Sequence, residues 1–263
     1  MPRVVITPQD IRNGAIVIRE PRTLHHLMTV LRVDEGDRVE CVDGGGRWYA
    51  TRVAARARGE LVLDILEQGR ESPPALSVWL MPALIKPERF DWLIQKTTEL
   101  GVDRLTPIVT ARSTVRVSSE RAEARVARWR RIATEAAQQC GRATVPRLDA
   151  PVAFQDAVIQ LGSGFRVLGS GQKNPHPPTQ NPEPVLLPTL AVAGRPLREA
   201  LAQQPALASA AIMIGPEGDF TRDEVALAQR HGAVPVWLGR RVLRSETAAI
   251  IVLAVLQHTA GAL

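Results

Sequence analysis

Cysteine and lysine are the scarce residues of this chain. Its 263 residues include two cysteines, Cys41 and Cys140. Two are too few for a disulfide framework, and neither has the neighbours of a metal-binding motif. No apolar run approaches the roughly 18 residues that a membrane-spanning helix needs. The opening Met-Pro-Arg-Val-Val lacks the apolar region and cleavage site of a secretory signal. No Gly-x-Gly-x-x-Gly opens a helix after the first strand of either half, which disfavours a dinucleotide-dependent enzyme. These absences predict a cytoplasmic protein with no membrane segment and no metal site.

The length suffices for one large or two modest domains with proper cores. A hydrophobic content of 45% beside 23% charged residues is ordinary for a globular chain. The formal charge of +6 is unevenly spread. Residues 1–70 carry 11 arginines against 10 acidic residues, whereas residues 86–147 carry 13 basic against 7 acidic and hold the whole excess. A basic middle segment suggests a polyanion partner, because neutralised phosphates supply most sequence-independent affinity for nucleic acid. Only three of the 33 basic residues are lysines. Such a bias toward arginine also fits a genome-wide preference that has nothing to do with RNA.

Residues 1–70 read as a small β-rich domain. Ile16–Ile18, Asp37–Val42, Trp48–Val53 and Leu61–Leu66 have strand character, and about five short strands suggest a small barrel. Asp43-Gly-Gly-Gly46 resembles a phosphate cradle, but a strand follows it rather than a helix, so it reads as a hairpin turn. Helical spacing covers Arg22–Leu31. Adjacent His25 and His26 on that helix point in different directions, so they do not share a metal. One is expected to pack inward and the other to reach phosphate or solvent.

The polar stretch Gln68–Pro74 marks the boundary to a second domain, 71–263. Leu76–Leu84 reads as its first strand, with Lys86 at the end of that strand. Pro87 opens a helix with Phe90, Leu93, Ile94 and Leu100 on one face. Leu105–Val109 is the next strand, followed by Ala111-Arg-Ser-Thr. A long helix capped by Ser118 or Ser119 runs to about Gln139, with Arg121, Arg125 and Arg128 as a basic stripe. From Gly162 to Pro196 the sequence loosens, and its Pro-rich part reads as an exposed, partly extended loop.

Two loops near the C-terminus organise the rest. The buried strand Ala211–Ile214 ends in Gly215-Pro-Glu-Gly218, where glycines permit sharp turning and close approach to a ligand. Thr221 and Glu224 have the spacing of a capping box for the helix Arg222–His231. A second strand, Val234–Leu238, breaks at Gly239 and leads through Arg240, Arg241 and Arg244 into an apolar helix. Ser245 or Thr247 would cap it, and Glu246 lies where the positive end of its dipole favours an anion. Both loops fall at the carboxyl edge of one sheet, where open α/β sheets hold ligands.

Ile214-Gly-Pro-Glu-Gly218, followed by Leu238-Gly-x-Arg-Val-Leu-Arg-x-Glu-Thr-Ala248, resembles the RsmE family, bacterial 16S ribosomal RNA (uracil-N3) methyltransferases of the SPOUT superfamily. The resemblance extends to His25-His-Leu-Met-Thr-Val-Leu-Arg32, Leu84-Ile-Lys, Gln95-Lys-Thr-Thr-Glu-Leu-Gly101 and Gln139-Cys-Gly-Arg142, in family order over most of the chain. It implies a PUA-like RNA-recognition barrel in 1–70 and a SPOUT α/β methyltransferase domain with a trefoil knot in 71–263. It also implies S-adenosylmethionine as cofactor, 16S rRNA of the small ribosomal subunit as partner, and a homodimer through the C-terminal domain. The expected grip on the cofactor comes from Ile214, Gly215, Pro216 and Gly218 in the first loop. Leu238, Gly239, Leu243, Thr247 and Ala248 supply it from the second. RNA contacts are expected from Arg32, Lys86, Arg112 and Arg142.

N3 of uridine carries a proton and is a poor nucleophile until that proton leaves. Methylation therefore needs a base, in-line alignment and stabilisation of charge on the uracil oxygens. Glu246 and Glu217 are the candidate bases, with Glu246 preferred, and Arg244 is the candidate oxyanion stabiliser. Asp219 departs from the family pattern, which has a second glycine there, and residues 173–188 depart from its tighter strand connection. The competing reading is an RNA-binding ribosome-assembly factor that keeps cofactor binding without methylation.

Overall fold

The computed structural model describes residues 1–115, 119–162, 184–204 and 207–263. It divides into two compact units, Met1–Pro73 with Thr134–Val145, and Pro74–Ala133 with Pro146–Leu263. The 1–70 boundary read from sequence does not contain the stretch Thr134–Val145, which is tied into the first unit through bridges from Thr144 to Gly44 and Gly45.

The first unit holds β1 (Arg3–Val5), β2 (Ile11–Arg12), β3 (Ala15–Ile18), α1 (Pro21–His25), β4 (Arg38–Val42), β5 (Arg47–Ala57) and β6 (Glu60–Arg70). They form one six-stranded sheet in the order β1-β4-β5-β6-β3-β2. Alternation drives it: Leu61 and Leu63 on β6 are fully buried with Ile16, Leu27 and Val39, while Asp64 faces out. Asp43 closes the β4–β5 hairpin, its Oδ1 accepting from the amides of Gly45 at 2.8 Å and Arg47 at 2.9 Å. Those amides are committed to the turn and are not a phosphate cradle. Cys41 lies in the core, where burial first of all pushes its thiol up to about 12. Cys140 is exposed.

The expectation that one histidine packs inward is corrected. Both His25 and His26 are exposed, because Leu24 and Leu27 take the inward positions. The helix also widens into a π-helical turn over His26–Val30, ending at Arg32 with φ of 54°.

The second unit begins with β7 (Ser77–Pro82) and α2 (Pro87–Glu99), then β8 (Arg104–Leu105), β9 (Ile108–Val109) and α3 (Ser119–Cys140), whose residues from Thr134 onward belong to the first unit. It continues with β10 (Arg147–Leu148), β11 (Val152–Ala153), α4 (Phe154–Gly162), β12 (Val185–Pro188), β13 (Arg195–Pro196) and α5 (Leu197–Ala202). Last come β14 (Ser209–Ile214), α6 (Arg222–Arg230), β15 (Ala233–Trp237) and α7 (Ser245–Thr259). Seven strands pair in parallel in the order β10-β8-β7-β14-β12-β15-β13. On one face Met81, Leu187 and Met213 pack with Phe154 and Phe220 and with residues of α4 and α6. Alternation leaves Leu80, Leu186 and Ile212 to the other face. There α7 packs against β7, β14 and α2. The central strands β7, β14 and β12 are buried on both sides, which is why they read as unbroken apolar runs.

Two sequence expectations change here. The strand predicted over Leu105–Val109 is split, because Pro107 has no amide to continue a ladder. Leu105 stays in the large sheet, while Ile108 and Val109 pair with β11 in a separate two-stranded sheet. And Val185–Pro188, read as the end of an exposed loop, is a buried strand between β14 and β15. Residues 163–183, which carry the rest of that loop, lie outside the described residues.

At the β8 end of the sheet, Asp149 gathers three partners. Arg104 Nε donates to Oδ2 at 2.5 Å, Thr106 Oγ1 to Oδ2 at 2.6 Å, and Arg147 Nε to Oδ1 at 2.8 Å. The Arg104 guanidinium also lies 4.2 Å from the Trp79 ring centroid. Burial dominates its environment and pushes it down to about 10, against the opposing pull of Asp149.

Candidate active site

Three neighbouring parallel strands, β12, β14 and β15, end on the same edge, and the turns that follow them line an open cleft. The β14 turn contributes Ile214, Gly215, Pro216 and Glu217, and the β15 turn contributes Leu238, Gly239 and Leu243. Ala248, from the first turns of α7, completes the overlap with the residues expected from sequence. Gly218 and Thr247 are not in the lining.

Each turn has a local cause. Gly215 is closely packed, since a Cβ there would meet the Phe220 ring at 3.2 Å and the ring would have to give way by a few tenths of an ångström. Gly239 adopts φ of 116°, which side-chain-bearing residues rarely adopt. The predicted capping box forms: Glu224 N donates to Thr221 Oγ1 at 3.2 Å, and Thr221 N donates to Glu224 Oε2 at 2.9 Å. Glu224 Oε1 also accepts from Ala111 N at 2.8 Å, so one cap carboxylate braces a second loop. The predicted cap on α7 is corrected. Arg244 occupies that position with extended backbone and no side-chain cap, and its carbonyl accepts from Ala248 N at 2.8 Å. Ser245 and Thr247 are therefore inside the helix.

The two candidate carboxylates meet at one guanidinium. Arg89, near the start of α2, has Nη1 3.4 Å from Glu217 Oε1 and Nε 3.9 Å from Glu246 Oε1. Glu217 is exposed and Glu246 is not, at 36% against 8% of the side chain. The Oε2 atom of Glu246 is buried with no hydrogen-bond partner among the described residues. Ser245 and Ala248 line the cleft, whereas Glu246 between them does not. Arg244 is exposed at the same helix start. A buried acceptor left unsatisfied is costly unless a donor comes to it.

Comparison with known proteins decides the family. A family model described as an RNA methyltransferase domain matches residues 71–257, and one described as an RNA methyltransferase PUA domain matches 18–66. Ribosomal RNA small subunit methyltransferase E of Synechocystis sp. is 32% identical over 254 residues, covering 96% of this chain and 76% of the relative. The chain belongs to the ribosomal RNA small subunit methyltransferase E family. The same-named protein of Bacillus subtilis is 27% identical and matches 97% of this chain and 94% of its own length. Among solved structures, a Legionella pneumophila methyltransferase in complex with S-adenosylmethionine is 28% identical with a TM-score of 0.79, covering 97% of this chain and 96% of that one. The family enzyme of Neisseria gonorrhoeae bound to S-adenosylmethionine is 26% identical with a TM-score of 0.77, over 98% and 97% of the two chains.

Within this methyltransferase the expected RNA residues fall into two groups. Arg32 and Arg142 are in the first unit, where Arg142 Nη2 donates to Thr144 Oγ1 at 3.2 Å. Lys86 is exposed at the start of α2. Arg112 is tied to the first loop, its Nη1 donating to the carbonyls of Gly218 at 2.7 Å and Phe220 at 3.4 Å. Sequence reasoning passed over Pro188, Thr189 and Leu190, which line the cleft after β12, and Arg241 and Val242, which line it after β15. An apolar Val-Leu-Leu between Pro184 and Pro188 was the available signal for β12. Nothing in the spacing around Arg89 marked it.

Among the described residues no group of three or more His, Cys, Asp and Glu side chains could hold a metal, and no helix is long and apolar enough to cross a membrane.

Proposed function

We propose that the cleft holds S-adenosylmethionine and that this enzyme methylates N3 of a uridine in the 16S RNA of the small ribosomal subunit. Both glycine-broken turns line one cleft, and that placement is the observation that carries the reading. The largely apolar lining of the cleft fits an adenosyl group, with backbone amides and carbonyls at the turns for its polar edges. The bound cofactor supplies an electrophilic methyl group. The backbone at Ile214, Gly215, Pro216, Leu238, Gly239 and Leu243 holds it, with Ala248 at its side and Gly218 and Thr247 supporting the turns. Glu246 takes the N3 proton through its free Oε2, Arg89 holds the other oxygen of that carboxylate, and Glu217 shares Arg89 from the exposed side. Arg244 stabilises the negative charge that deprotonation leaves on the uracil oxygens.

Arg32, Lys86, Arg112 and Arg142 contact the RNA, in keeping with a PUA-like unit at 1–70 and a methyltransferase unit at 71–263. A homodimer through the C-terminal unit is supported by Trp92 on α2 and Ile251 on α7, exposed apolar residues on helices that pack together. A trefoil knot in that unit and a cytoplasmic location complete the proposal.

The test is mass spectrometry of 16S RNA from cells with and without the protein, together with methylation of purified subunits and free RNA. Loss of one N3-methyluridine without the protein is expected. Unchanged RNA, from a protein that still binds S-adenosylmethionine in calorimetry, would favour the assembly-factor reading instead.

A further inference from the structure

Asp219, half-buried, stands where the family pattern has glycine, yet it is bonded across the turn. Its backbone is left-handed, at φ of 59°, a conformation that aspartate adopts more readily than most side-chain-bearing residues. The carboxylate crosses from the β14 turn to the β12 turn. Oδ2 accepts from Leu190 N at 2.7 Å, and both oxygens lie 3.0 Å from Thr189 Oγ1. Oδ1 also accepts from Phe220 N at 2.7 Å. Thr189 is buried and its Oγ1 accepts in turn from Ala191 N at 3.0 Å. Asp219, Thr189 and Leu190 all line the cleft.

We infer that Asp219 is a positioning residue for the methyl donor: its carboxylate fastens the Thr189–Leu190 wall to the Gly215–Phe220 turn and so pre-shapes the cleft. A glycine keeps the backbone conformation at this position but cannot make the three cross-loop and local bonds. Charge-assisted hydrogen bonds of this kind are among the stronger ones in proteins. A cleft whose walls are already joined avoids the cost of ordering them when ligand binds. Leu190, exposed at 58%, is a wall residue whose amide is held by this carboxylate.

This inference rests on the proposal that the cleft binds S-adenosylmethionine, and the experiment separates the two. Calorimetry with S-adenosylmethionine is run on the wild type and on Asp219→Gly, Asp219→Asn and Thr189→Val, with unliganded melting curves to confirm folding. The glycine variant, which relieves any backbone strain, is expected to bind the donor roughly tenfold to a hundredfold more weakly. Asn, which keeps one acceptor oxygen, is expected to fall between it and the wild type. Thr189→Val should weaken binding as well, and its effect should largely vanish when combined with Asp219→Gly, since both changes cut one connection. In steady state the loss should appear mainly in KM for the donor and less in kcat. A glycine variant that binds as tightly as the wild type overturns the positioning role alone. A wild type that does not bind the donor overturns the reading of the cleft and this inference with it.

Discussion

Glu246→Gln is expected to slow methyl transfer about 10²- to 10⁴-fold, the range that a positioned general base contributes. Glutamine preserves the shape of the side chain and cannot take a proton. The carboxylate is buried, and its Oε2 has no hydrogen-bond partner among the described residues. Arg244→Ala should cost about 10²- to 10³-fold if its guanidinium stabilises the developing oxyanion. Glu217→Gln should cost far less, since that carboxylate is 36% exposed and its ion pair with Arg89 is the kind that contributes little. Single-turnover rates with ribosomal subunits, alongside calorimetric affinity for S-adenosylmethionine, separate chemistry from binding. Glu246→Gln and Arg244→Ala are expected to keep donor binding while losing turnover. Undiminished rates in both would remove the catalytic assignment of the β15–α7 loop.

The largest expected loss of stability lies away from the cleft, at Asp149. The side chains of Arg104 and Asp149 are each only 13% exposed, so their pair is a buried one. Removing one member of such a pair leaves a buried charge uncompensated, at about 3–5 kcal/mol. Asp149→Ala strips Arg104, Arg147 and Thr106 of a shared acceptor at once. For a unit of this size the melting point should fall by roughly 10 °C. Replacing both partners, as Arg104→Met with Asp149→Leu, should recover most of the stability, because apolar packing often matches a buried pair. Urea unfolding of the three proteins decides it. A single variant as stable as the wild type would mean that solvent reaches the Arg104 guanidinium.

Much of this architecture could be read directly from residue patterns. The strands that end the two cleft turns announced themselves as short apolar runs broken by glycine, and the Thr221–Glu224 cap followed from spacing alone. What was hidden has physical reasons. β12 is four residues long beside a proline-rich stretch, so composition outweighed a pattern too short to show a period. The split at Pro107 depends on which strand each half pairs with, a long-range choice. Glu224 reads as a routine cap, and only the fold reveals that its other oxygen holds Ala111. Arg89 became relevant only when α2 was packed against the helix that carries Glu246. Asp219 looked like a defect because its partners, Thr189 and Leu190, are some thirty residues away and followed a segment that offered no period.

An oxygen held dry without a donor, as on Glu246, is a standing burden on the folded state, of the order of 1–3 kcal/mol. Proteins selected only for endurance to heat, for instance from a library randomised at this codon, should therefore drift toward leucine or methionine there. Those selected for methylated ribosomes should return to glutamate every time. Deep sequencing of both pools would expose the conflict, with endurance and catalysis pulling one helix start in opposite directions.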